Sequence, residues 1–379
     1  MRDLVEIGMG RTARRTYELD DVDIVPSRRT RSSKAVSVAW QLDAYRFDIP
    51  ILSHPTDALG SPEFAIELGR LGGLGVINGE GLWARHADVE AKLDELIATA
   101  ESDDDLDASI TKLQELHAAP VQPDLLAAAV AKVRAAGVTT AVRVSPQNAR
   151  ALSPALIAAG IDLLVVHGTI ISAEHVGRPD EEPLNLKTFI ADLDVPVVAG
   201  GVSDHRTALH LMRTGAAGVV VGYGSMAGAT TTGEVLGIGI PMATAIADAA
   251  AARRDYLDET GGRYVHVIAD GDISSSGHLA KAMACGADAA MLGPPLAIAA
   301  EAPGRGWYWP SAAAHPSMPR GAMLPVGTVN RPTLEKVLVG PSNDPYGALN
   351  FVGGLRRSMA KSGYSDLKEF QRVGLTVRA

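Results

Sequence analysis

The stretch SDHRTALHLMRTGAAGVVVG at residues 203–222 contains the unit from which the fold is built. Its first part, through Thr214, spaces apolar side chains as the buried face of a helix does. Gly215 then supplies the left-handed residue that commonly caps a helix. The run GVVV at 218–221 is apolar without interruption, as in a parallel strand covered on both faces. The stretch therefore predicts a helix followed by a buried parallel strand.

Similar units recur along the chain. Short apolar runs typical of strands lie at 49–53, 75–78, 140–145, 162–167, 195–199, 218–221, 265–270 and 289–293. Several helical segments between them end in a glycine, namely Gly137, Gly160, Gly215 and Gly286. Eight strand–helix units predict an α/β fold, a (β/α)8 TIM barrel. A doubly wound sheet is the alternative, but it would need fewer strands and a phosphate-binding fingerprint after the first.

The composition excludes several classes of protein. The 379 residues are 46% apolar and carry a formal net charge of −9, which does not suit a protein that wraps nucleic acid. The basic run RRTRSSK at 28–34 is interpreted as a solvated loop rather than a nucleic-acid-binding arm. No stretch approaches the roughly 18 apolar residues of a membrane span, and the N-terminus lacks the apolar segment of a signal peptide. We expect a cytoplasmic protein with no nucleic-acid or membrane partner.

Two segments interrupt the regular alternation of strands and helices. Residues 84–122 form a charged helical insertion that includes the acidic run ESDDDLD at 101–107. Residues 302–345 are rich in Pro, Gly and aromatic side chains without clean periodicity, which is typical of a functional lid or a disordered excursion. Neither segment breaks the barrel pattern, so we predict a single domain over residues 1–379.

Residues that directly follow the predicted strands are the candidates for function, because the active site of such a barrel lies at the C-terminal ends of its strands. Gly271 and Gly293 follow strands seven and eight, where backbone N–H groups can approach an anionic oxygen such as a phosphate. Asp270 can accept hydrogen bonds from sugar hydroxyls, or it can serve as a helix N-cap. His167, at the end of strand four, can act as a base or ligand, or it can hydrogen-bond locally.

Longer motifs carry a family resemblance. They are TYELDDVDIVP at 16–26, IPILSHPTDA at 49–58, LGGLGVIN at 71–78, AGIDLLVVHG at 159–168, VVVGYG at 219–224, GIGIPMATAI at 237–246, VIADGDI at 267–273, AKAMACGADAAMLG at 280–293 and GGLRRSMAKSGY at 353–364. In this order they resemble the IMP dehydrogenase and GMP reductase barrels over almost the whole chain. The paired regulatory CBS module that many IMP dehydrogenases insert after strand two is missing here. The chain is therefore most similar to the CBS-less bacterial branch related to IMP dehydrogenase.

The resemblance implies ligands and an assembly. A purine nucleoside monophosphate (IMP, GMP or XMP) is the expected partner and NAD or NADP the expected cofactor, and we expect a homotetramer or a dimer of tetramers. Carried over residue by residue, the resemblance assigns nucleotide binding to Ser53, Thr230, Thr231, Asp270, Gly271, Gly293 and Trp309. It assigns cofactor binding to His167, Gly168, Gly222 and Gly224.

The catalytic cysteine of the family is missing. In the family, a thiolate in the loop after strand six attacks C2 of the purine to allow hydride transfer. Here that position holds Ala229 or Thr230, depending on which flanking glycines anchor the comparison. Alanine offers no nucleophile, and a threonine hydroxyl is far weaker without a dedicated base. Cys285, the only thiol, falls in a region that resembles scaffold, so no catalytic residue of the family is intact.

Other departures fall where ligands are expected. Asp272 replaces a glycine and puts a carboxylate beside the expected phosphate. Pro294 replaces a serine and removes a hydroxyl and a backbone donor. The chain also differs from the family at Thr56, His167, Trp309, Pro310 and Ser311. These departures weaken the expected phosphate, purine and nicotinamide contacts.

The departures favour one function over two others. The favoured hypothesis is an IMP dehydrogenase-related protein of purine nucleotide metabolism that binds a nucleotide without cysteine-dependent dehydrogenase activity. The first alternative is an active NAD(P)-dependent oxidoreductase of the IMP dehydrogenase or GMP reductase type. The second is a barrel with an unrelated phosphate ligand, because fold does not determine function. His54, His167 and His315 lack metal-ligand spacing, so we predict no catalytic metal.

Overall fold

The computed structural model describes residues 4–102, 106–173, 183–224, 232–315 and 321–378. Its strands are β1 (Leu4–Gly8), β2 (Arg11–Arg14), β3 (Val22–Ile24), β4 (Trp40–Leu42), β5 (Tyr45–Phe47), β6 (Ile51–Ser53), β7 (Val76–Asn78), β8 (Ala141–Val144), β9 (Leu163–His167), β10 (Val197–Val202), β11 (Gly218–Val221), β12 (His266–Ala269), β13 (Ala289–Leu292), β14 (Trp307–Tyr308), β15 (Leu324–Pro325) and β16 (Leu375–Val377). Its helices are α1 (Pro62–Arg70), α2 (Val89–Ser102), α3 (Asp107–Ala118), α4 (Pro123–Ala135), α5 (Ala149–Ala159), α6 (Leu186–Ala191), α7 (His205–Met212), α8 (Thr232–Leu236), α9 (Met242–Thr260), α10 (Ser276–Cys285), α11 (Pro294–Ala297), α12 (Leu334–Leu338), α13 (Phe351–Lys361) and α14 (Leu367–Phe370). Among these described helices, none is both long enough and apolar enough to cross a membrane.

Strands β6–β13 form one parallel sheet in the spatial order β6-β13-β12-β11-β10-β9-β8-β7. A parallel bridge between Leu52 and Leu74 joins the two end strands, and Ser53 Oγ accepts a hydrogen bond of 2.8 Å from the backbone N–H of Val76. The sheet therefore closes on itself, and the predicted (β/α)8 TIM barrel is confirmed. Every residue of β8–β11 is buried, which explains why these strands are apolar without alternation.

The stretch 203–222 folds as its pattern predicts. Helix α7 begins after Asp204, whose side chain accepts hydrogen bonds from the backbone N–H groups of Arg206 and Thr207. Gly215 has a φ of 100°, and β11 follows it. The polar cap therefore sets the start of the helix, and the glycine turns the chain back into the sheet.

The hairpin β4–β5 covers the N-terminal end of the barrel. Trp40 Nε1 donates to the carbonyl of Ile49 over 3.0 Å, and the rings of Trp40 and His266 meet edge-on with centroids 5.9 Å apart. Beside this hairpin, a cavity of about 900 Å³ opens against helix α6 and the loops that enter β10, β11 and β12. The cavity lies at the barrel end opposite to the one where the strands finish.

Asp288, directly before β13, ties the last described helix to the barrel. Its carboxylate accepts hydrogen bonds from Arg253 (2.7 Å), Tyr264 (2.8 Å), the backbone of Val267 (2.9 Å), Lys368 (2.7 Å) and Gln371 (3.1 Å). Burial raises the pKa of Asp288, but Arg253 and Lys368 outweigh it and hold that pKa well below its usual range. The ionised carboxylate thereby joins α14 to the start of β13.

The helical insertion predicted at 84–122 contains α2 and α3, and the lid-like segment at 302–345 contains β14, β15 and α12. Arg305 Nη1, near the start of that segment, lies 2.5 Å from Asp94 Oδ1 on α2. The insertion therefore contacts the lid-like segment directly. The division of the chain into a single domain stays a prediction.

Candidate functional site

Asp270 lies at the centre of a buried cluster at the C-terminal ends of the strands. It follows β12 and is 1% exposed. Its Oδ1 lies 3.0 Å from His54 Nδ1 and its Oδ2 lies 3.2 Å from His167 Nε2. His54 follows β6 and His167 ends β9, and the two imidazole rings meet edge to face with centroids 5.4 Å apart. The fold thus brings Asp270 and His167 together and adds His54.

Burial and mutual contact set the charges of this cluster. Burial raises the pKa of Asp270, but the two imidazoles outweigh it and hold that pKa well below its usual range. Burial lowers the pKa of His167, and the hydrogen bond to Asp270 offsets this shift only in part. At pH 7 an ionised carboxylate therefore lies beside a neutral His167 ring.

Tyr308, on β14, adds a hydroxyl to the same cluster. The residue is 1% exposed, and its ring centroid lies 6.4 Å from that of His54. Its Oη packs over Gly293, where an added Cβ would stand only 2.6 Å from it. Among the described residues Oη has no hydrogen-bond partner, and burial raises the Tyr308 pKa well above its ordinary value. A protonated, buried hydroxyl without an acceptor is costly, so an acceptor oxygen placed beside it would stabilise it.

Arg143 borders the cluster on its β7–β8 side. Its Nε and Nη2 donate to the backbone carbonyl of His167 over 3.0 and 2.8 Å. Its Nη1 lies 3.3 Å from Glu80 Oε2, while Glu80 Oε1 accepts from the N–H and the hydroxyl of Ser145 over 2.9 and 2.7 Å. Burial raises the pKa of Glu80, but Arg143 and Ser145 lower it further than burial raises it. This charge pair holds the backbone of His167 in place.

Asp57 connects the helical insertion to the strand ends. It is 2% exposed, and its Oδ1 accepts from Asn78 Nδ2 over 3.3 Å and from the N–H of Leu82 over 3.2 Å. Its Oδ2 lies 2.7 Å from His117 Nε2 on α3. Because Asp57 belongs to the loop that also carries His54, helix α3 contacts the same loop as the candidate site.

Several residues at the positions where the resemblance implies nucleotide contacts are packed against other parts of the chain. Ser53 is fully buried at the junction of β6 and β7. The Thr56 hydroxyl donates to the carbonyl of Trp309, and Ser311 Oγ donates to the carbonyl of Pro55 over 3.1 Å. Trp309 is 0% exposed, and its indole N–H has no partner among the described residues. The segment 309–311 therefore packs on the loop that carries His54.

The predicted glycines surround the backbone of Asp270. The N–H of Gly224 donates to the carbonyl of Asp270 over 3.1 Å, and an added Cβ on Gly222 would stand 2.1 Å from that oxygen. A Cβ on Gly271 would stand 2.9 Å from the carbonyl oxygen of Gly224. The N–H of Gly168 donates into β10 over 2.9 Å. Close backbone packing is sufficient to require glycine at Gly222 and Gly271.

The backbone around Asp270, Asp272 and Pro294 bears on three of the sequence predictions. Helix α10 begins after Ser275, whose side chain accepts from the N–H of His278, so the interpretation of Asp270 as a helix N-cap is wrong. Asp272 has a φ of 54°, in the left-handed region that favours glycine. Pro294 is the first residue of the short helix α11. Asp272 thus occupies a backbone conformation suited to the glycine it was expected to replace.

The candidate nucleophile positions Ala229 and Thr230, together with Thr231, lie outside the described residues. Cys285 ends α10, which leads into the start of β13 at the barrel end opposite Asp270. Burial raises the pKa of the Cys285 thiol to about 11, so the thiol stays protonated at pH 7. Within the described ranges, no three His, Cys, Asp or Glu side chains gather as metal ligands would.

His54, Tyr308 and Arg143 carry no role in the sequence predictions, although all three belong to the site. The sequence does indicate a site position for His54. It directly follows a strand, as His167 ends one, and the ends of parallel strands meet. Arg143 is a charged residue inside an otherwise apolar run, which is a weaker signal of the same kind. Tyr308 has none, because the segment that carries it shows no periodicity.

Comparisons with known proteins agree on a family. The model of the IMP dehydrogenase / GMP reductase domain matches residues 16–315. Uncharacterized oxidoreductases of Mycolicibacterium smegmatis and Mycobacterium tuberculosis are each 75% identical over 374 residues, covering 99% of this chain and 100% of theirs. Inosine-5'-monophosphate dehydrogenase of Aquifex aeolicus is 34% identical over 241 residues, 59% of this chain and 46% of its own. The crystal structure of an IMP dehydrogenase/GMP reductase-like protein from Corynebacterium glutamicum has a TM-score of 0.93 and 58% identity, covering 99% of this chain and 98% of that one.

Proposed function

Because this chain belongs to the IMP dehydrogenase/GMP reductase family, we propose that it binds a purine nucleoside monophosphate at the C-terminal end of its barrel. IMP, GMP and XMP are the candidate ligands. The phosphate would lie near Gly271 and Gly293, and the sugar near Asp270. We also propose that the protein does not carry out the thiol-dependent dehydrogenase reaction.

The hydroxyl of Tyr308, which has no hydrogen-bond partner in the described part of the chain, is the observation that carries this proposal. It is fully buried, keeps its proton, and packs over Gly293 at the strand end where a phosphate is expected. Phosphate oxygens are strong acceptors, and a hydrogen bond to a charged acceptor is stronger than one between neutral groups. A ligand that places an anionic oxygen beside Tyr308 would satisfy this donor.

The thiol chemistry of the family has no support in this chain. Its single cysteine, Cys285, lies at the opposite end of the barrel with a pKa of about 11, so it is neither near the ligand nor nucleophilic. The positions matched to the family nucleophile hold Ala229 or Thr230. A ligand-binding or regulatory role in purine nucleotide metabolism is therefore preferred over catalysis through a covalent intermediate.

The nicotinamide cofactor that the family implies fits this chain poorly. Of the residues assigned to it, Gly222 is required by packing against the Asp270 carbonyl, and Nε2 of His167 is engaged with the Asp270 carboxylate. An active NAD(P)-dependent oxidoreductase remains the second candidate, favoured by the high identity to the mycobacterial oxidoreductases.

A homotetramer or a dimer of tetramers is proposed as the assembly. Apolar side chains stand exposed on the hairpin β1–β2, with Leu4 at 62%, Ile7 at 65% and Met9 at 102% exposure. An interface would cover such a surface. Light scattering coupled to size exclusion tests the assembly, since a monomer would contradict it. The cytoplasmic location stays a proposal from the sequence.

Thermal unfolding with each nucleotide tests the proposed ligand. A ligand at about 100 times its Kd stabilises the folded state by about 2.7 kcal/mol, which corresponds to a rise in Tm of about 5 °C or less in a chain of this size. We expect a rise of a few degrees with one of IMP, GMP or XMP. Asp272→Gly should enlarge that rise, because it removes a carboxylate next to the expected phosphate.

Asp43→Gly is the matched control for Asp272→Gly. Asp43 has a φ of 52° against 54° for Asp272, so both substitutions relieve the same backbone conformation. Asp43 lies in the β4–β5 turn, at the far end of the barrel, and its substitution should leave the ligand-induced rise unchanged. If none of the three nucleotides raises the Tm of the parent or of Asp272→Gly, the purine-nucleotide proposal is wrong. A rise with inorganic phosphate alone would instead favour an unrelated phosphate ligand.

A further inference from the structure

Each carboxylate oxygen of Asp270 already accepts a hydrogen bond from a histidine ring. Its side chain is 2% exposed, and its two oxygens lie 3.0 and 3.2 Å from the nearest imidazole nitrogens. An ionised carboxylate only accepts hydrogen bonds, so the two nitrogens that face it, His54 Nδ1 and His167 Nε2, each carry a hydrogen. With 2% of its side chain exposed, Asp270 leaves little surface through which a sugar hydroxyl could reach its remaining lone pairs.

The contacts with Asp270 determine which ring nitrogens remain available. The second nitrogen of each ring, Nε2 of His54 and Nδ1 of His167, lies on the side away from that contact, and such a nitrogen is an acceptor in a neutral imidazole. The side chains of His54 and His167 keep 7% and 8% exposure. The centroid distance of 5.4 Å puts both acceptors in one small patch.

We propose that His54 and His167 together select a ribonucleotide, with its sugar hydroxyls donating to His54 Nε2 and His167 Nδ1. Asp270 is then a positioning residue, which holds both rings and does not touch the ligand. This inference rests on the proposed nucleotide binding and names the side chains that meet the sugar.

The surrounding contacts support this division of roles. Arg143 holds the backbone carbonyl of His167 through two hydrogen bonds, so the ring is anchored at its strand as well as at Asp270. Tyr308, the protonated hydroxyl of the cluster, is a donor and suits an acceptor oxygen of the ligand. Acceptors for hydroxyls and a donor for an anionic oxygen therefore lie side by side, as a nucleotide requires.

Two substitutions each keep the N–H that faces Asp270 and remove the acceptor nitrogen of the same ring. In His54→Asn, the amide N–H takes the place of Nδ1–H toward Asp270, while the acceptor Nε2 is lost. In His167→Gln, the amide N–H takes the place of Nε2–H, while the acceptor Nδ1 is lost. The control is His205→Gln, because His205 Nε2 lies 2.8 Å from Asp255 Oδ2 in an exposed pair on α7, away from the site.

Calorimetric Kd values for IMP, 2′-deoxy-IMP and 3′-deoxy-IMP test the proposal. We expect the parent protein to bind at least one deoxy analogue about 3- to 10-fold more weakly than IMP, the effect of one lost hydrogen bond. His54→Asn or His167→Gln should bind IMP more weakly by a similar factor and discriminate less than about 2-fold against that analogue. His205→Gln should behave as the parent does.

Other outcomes overturn the proposal. Equal affinity of the parent for IMP and both analogues would contradict sugar selection while leaving nucleotide binding intact. Discrimination that persists in both histidine variants and disappears in Asp270→Asn would show that the carboxylate itself contacts the sugar. Failure of the parent to bind IMP, GMP and XMP removes the proposed function and this inference with it. If one variant does not fold, as judged by its unliganded melting, the parent and the other variant still decide the question.

Discussion

The single thiol of this protein should be unusually slow to react. Burial raises the pKa of Cys285 from an ordinary value of 9.0 to about 11, and the nearby Lys281 opposes this shift only in part. Below both values the thiolate fraction falls tenfold for each pKa unit, so at pH 7.5 the folded chain holds about 100-fold less thiolate than an exposed cysteine would. Because the thiolate is the reactive form, alkylation should slow by at least that factor.

Iodoacetamide labelling followed by mass spectrometry measures this rate. The same chain in concentrated urea is the reference, since unfolding returns the thiol to water, and Cys285→Ala is the blank. We expect the folded chain to react about 100-fold more slowly than the unfolded chain, with no change on adding IMP. Reaction within tenfold of the unfolded chain, or protection by IMP, would show that Cys285 is activated or lies near the ligand, and the case against thiol chemistry would collapse.

Three further predictions concern turnover, the missing nucleophile and acid stability. Purified protein should neither form NADH from IMP nor oxidise NADPH with GMP at the turnover rates typical of enzymes, roughly 1 to 10³ per second. Steady turnover in that range would contradict the proposed function. Thr230→Cys or Ala229→Cys alone should not restore multiple turnover, since residues that act as a unit are not additive; full activity in either variant would show that the rest of the machinery is intact. Burial lowers the pKa of His266 from 6.5 to about 4, so the unfolded state takes up a proton first on acidification. Protonation of His266 should therefore lower the free energy of unfolding by about 2 kcal/mol as the pH falls from 7.5 to 5. Urea titrations at the two pH values should show a loss smaller by that amount in His266→Gln. An equal loss in the parent and the variant would show that His266 is not its cause.

The barrel could be predicted because its strands are buried on both faces. An uninterrupted apolar run of four to six residues followed by a helical segment has few other interpretations in a chain of this length. The predicted strand ends differ from the observed ones by a few residues at most. The largest difference is at β10, predicted at 195–199 and observed at Val197–Val202, because a Gly-Gly pair inside a strand has the appearance of a loop.

The site could be predicted only in part. The ends of parallel strands meet at one rim, so the sequence places Asp270 and His167 at the same end of the barrel. What each side chain does there depends on tertiary contacts that no local pattern encodes. The two oxygens of Asp270 are occupied because His54 arrives from another strand, and Gly293 is covered because Tyr308 arrives from an aperiodic segment. Such contacts become visible only once the chain is folded.

The carboxylate of Asp288 imposes an order on how the barrel matures during synthesis. Three of its donors, Arg253, Tyr264 and the backbone of Val267, precede it in the chain, whereas Lys368 lies 80 residues later. At about 5 to 20 residues per second, a ribosome needs roughly 4 to 16 s to supply that lysine. During this interval the last barrel strand can form, but the carboxylate at its entrance lacks the second of its two cationic partners, Arg253 and Lys368. The nascent barrel should therefore stay loose at this end until α14 emerges, and chains truncated before Leu367 should be cleaved by protease faster than the full chain.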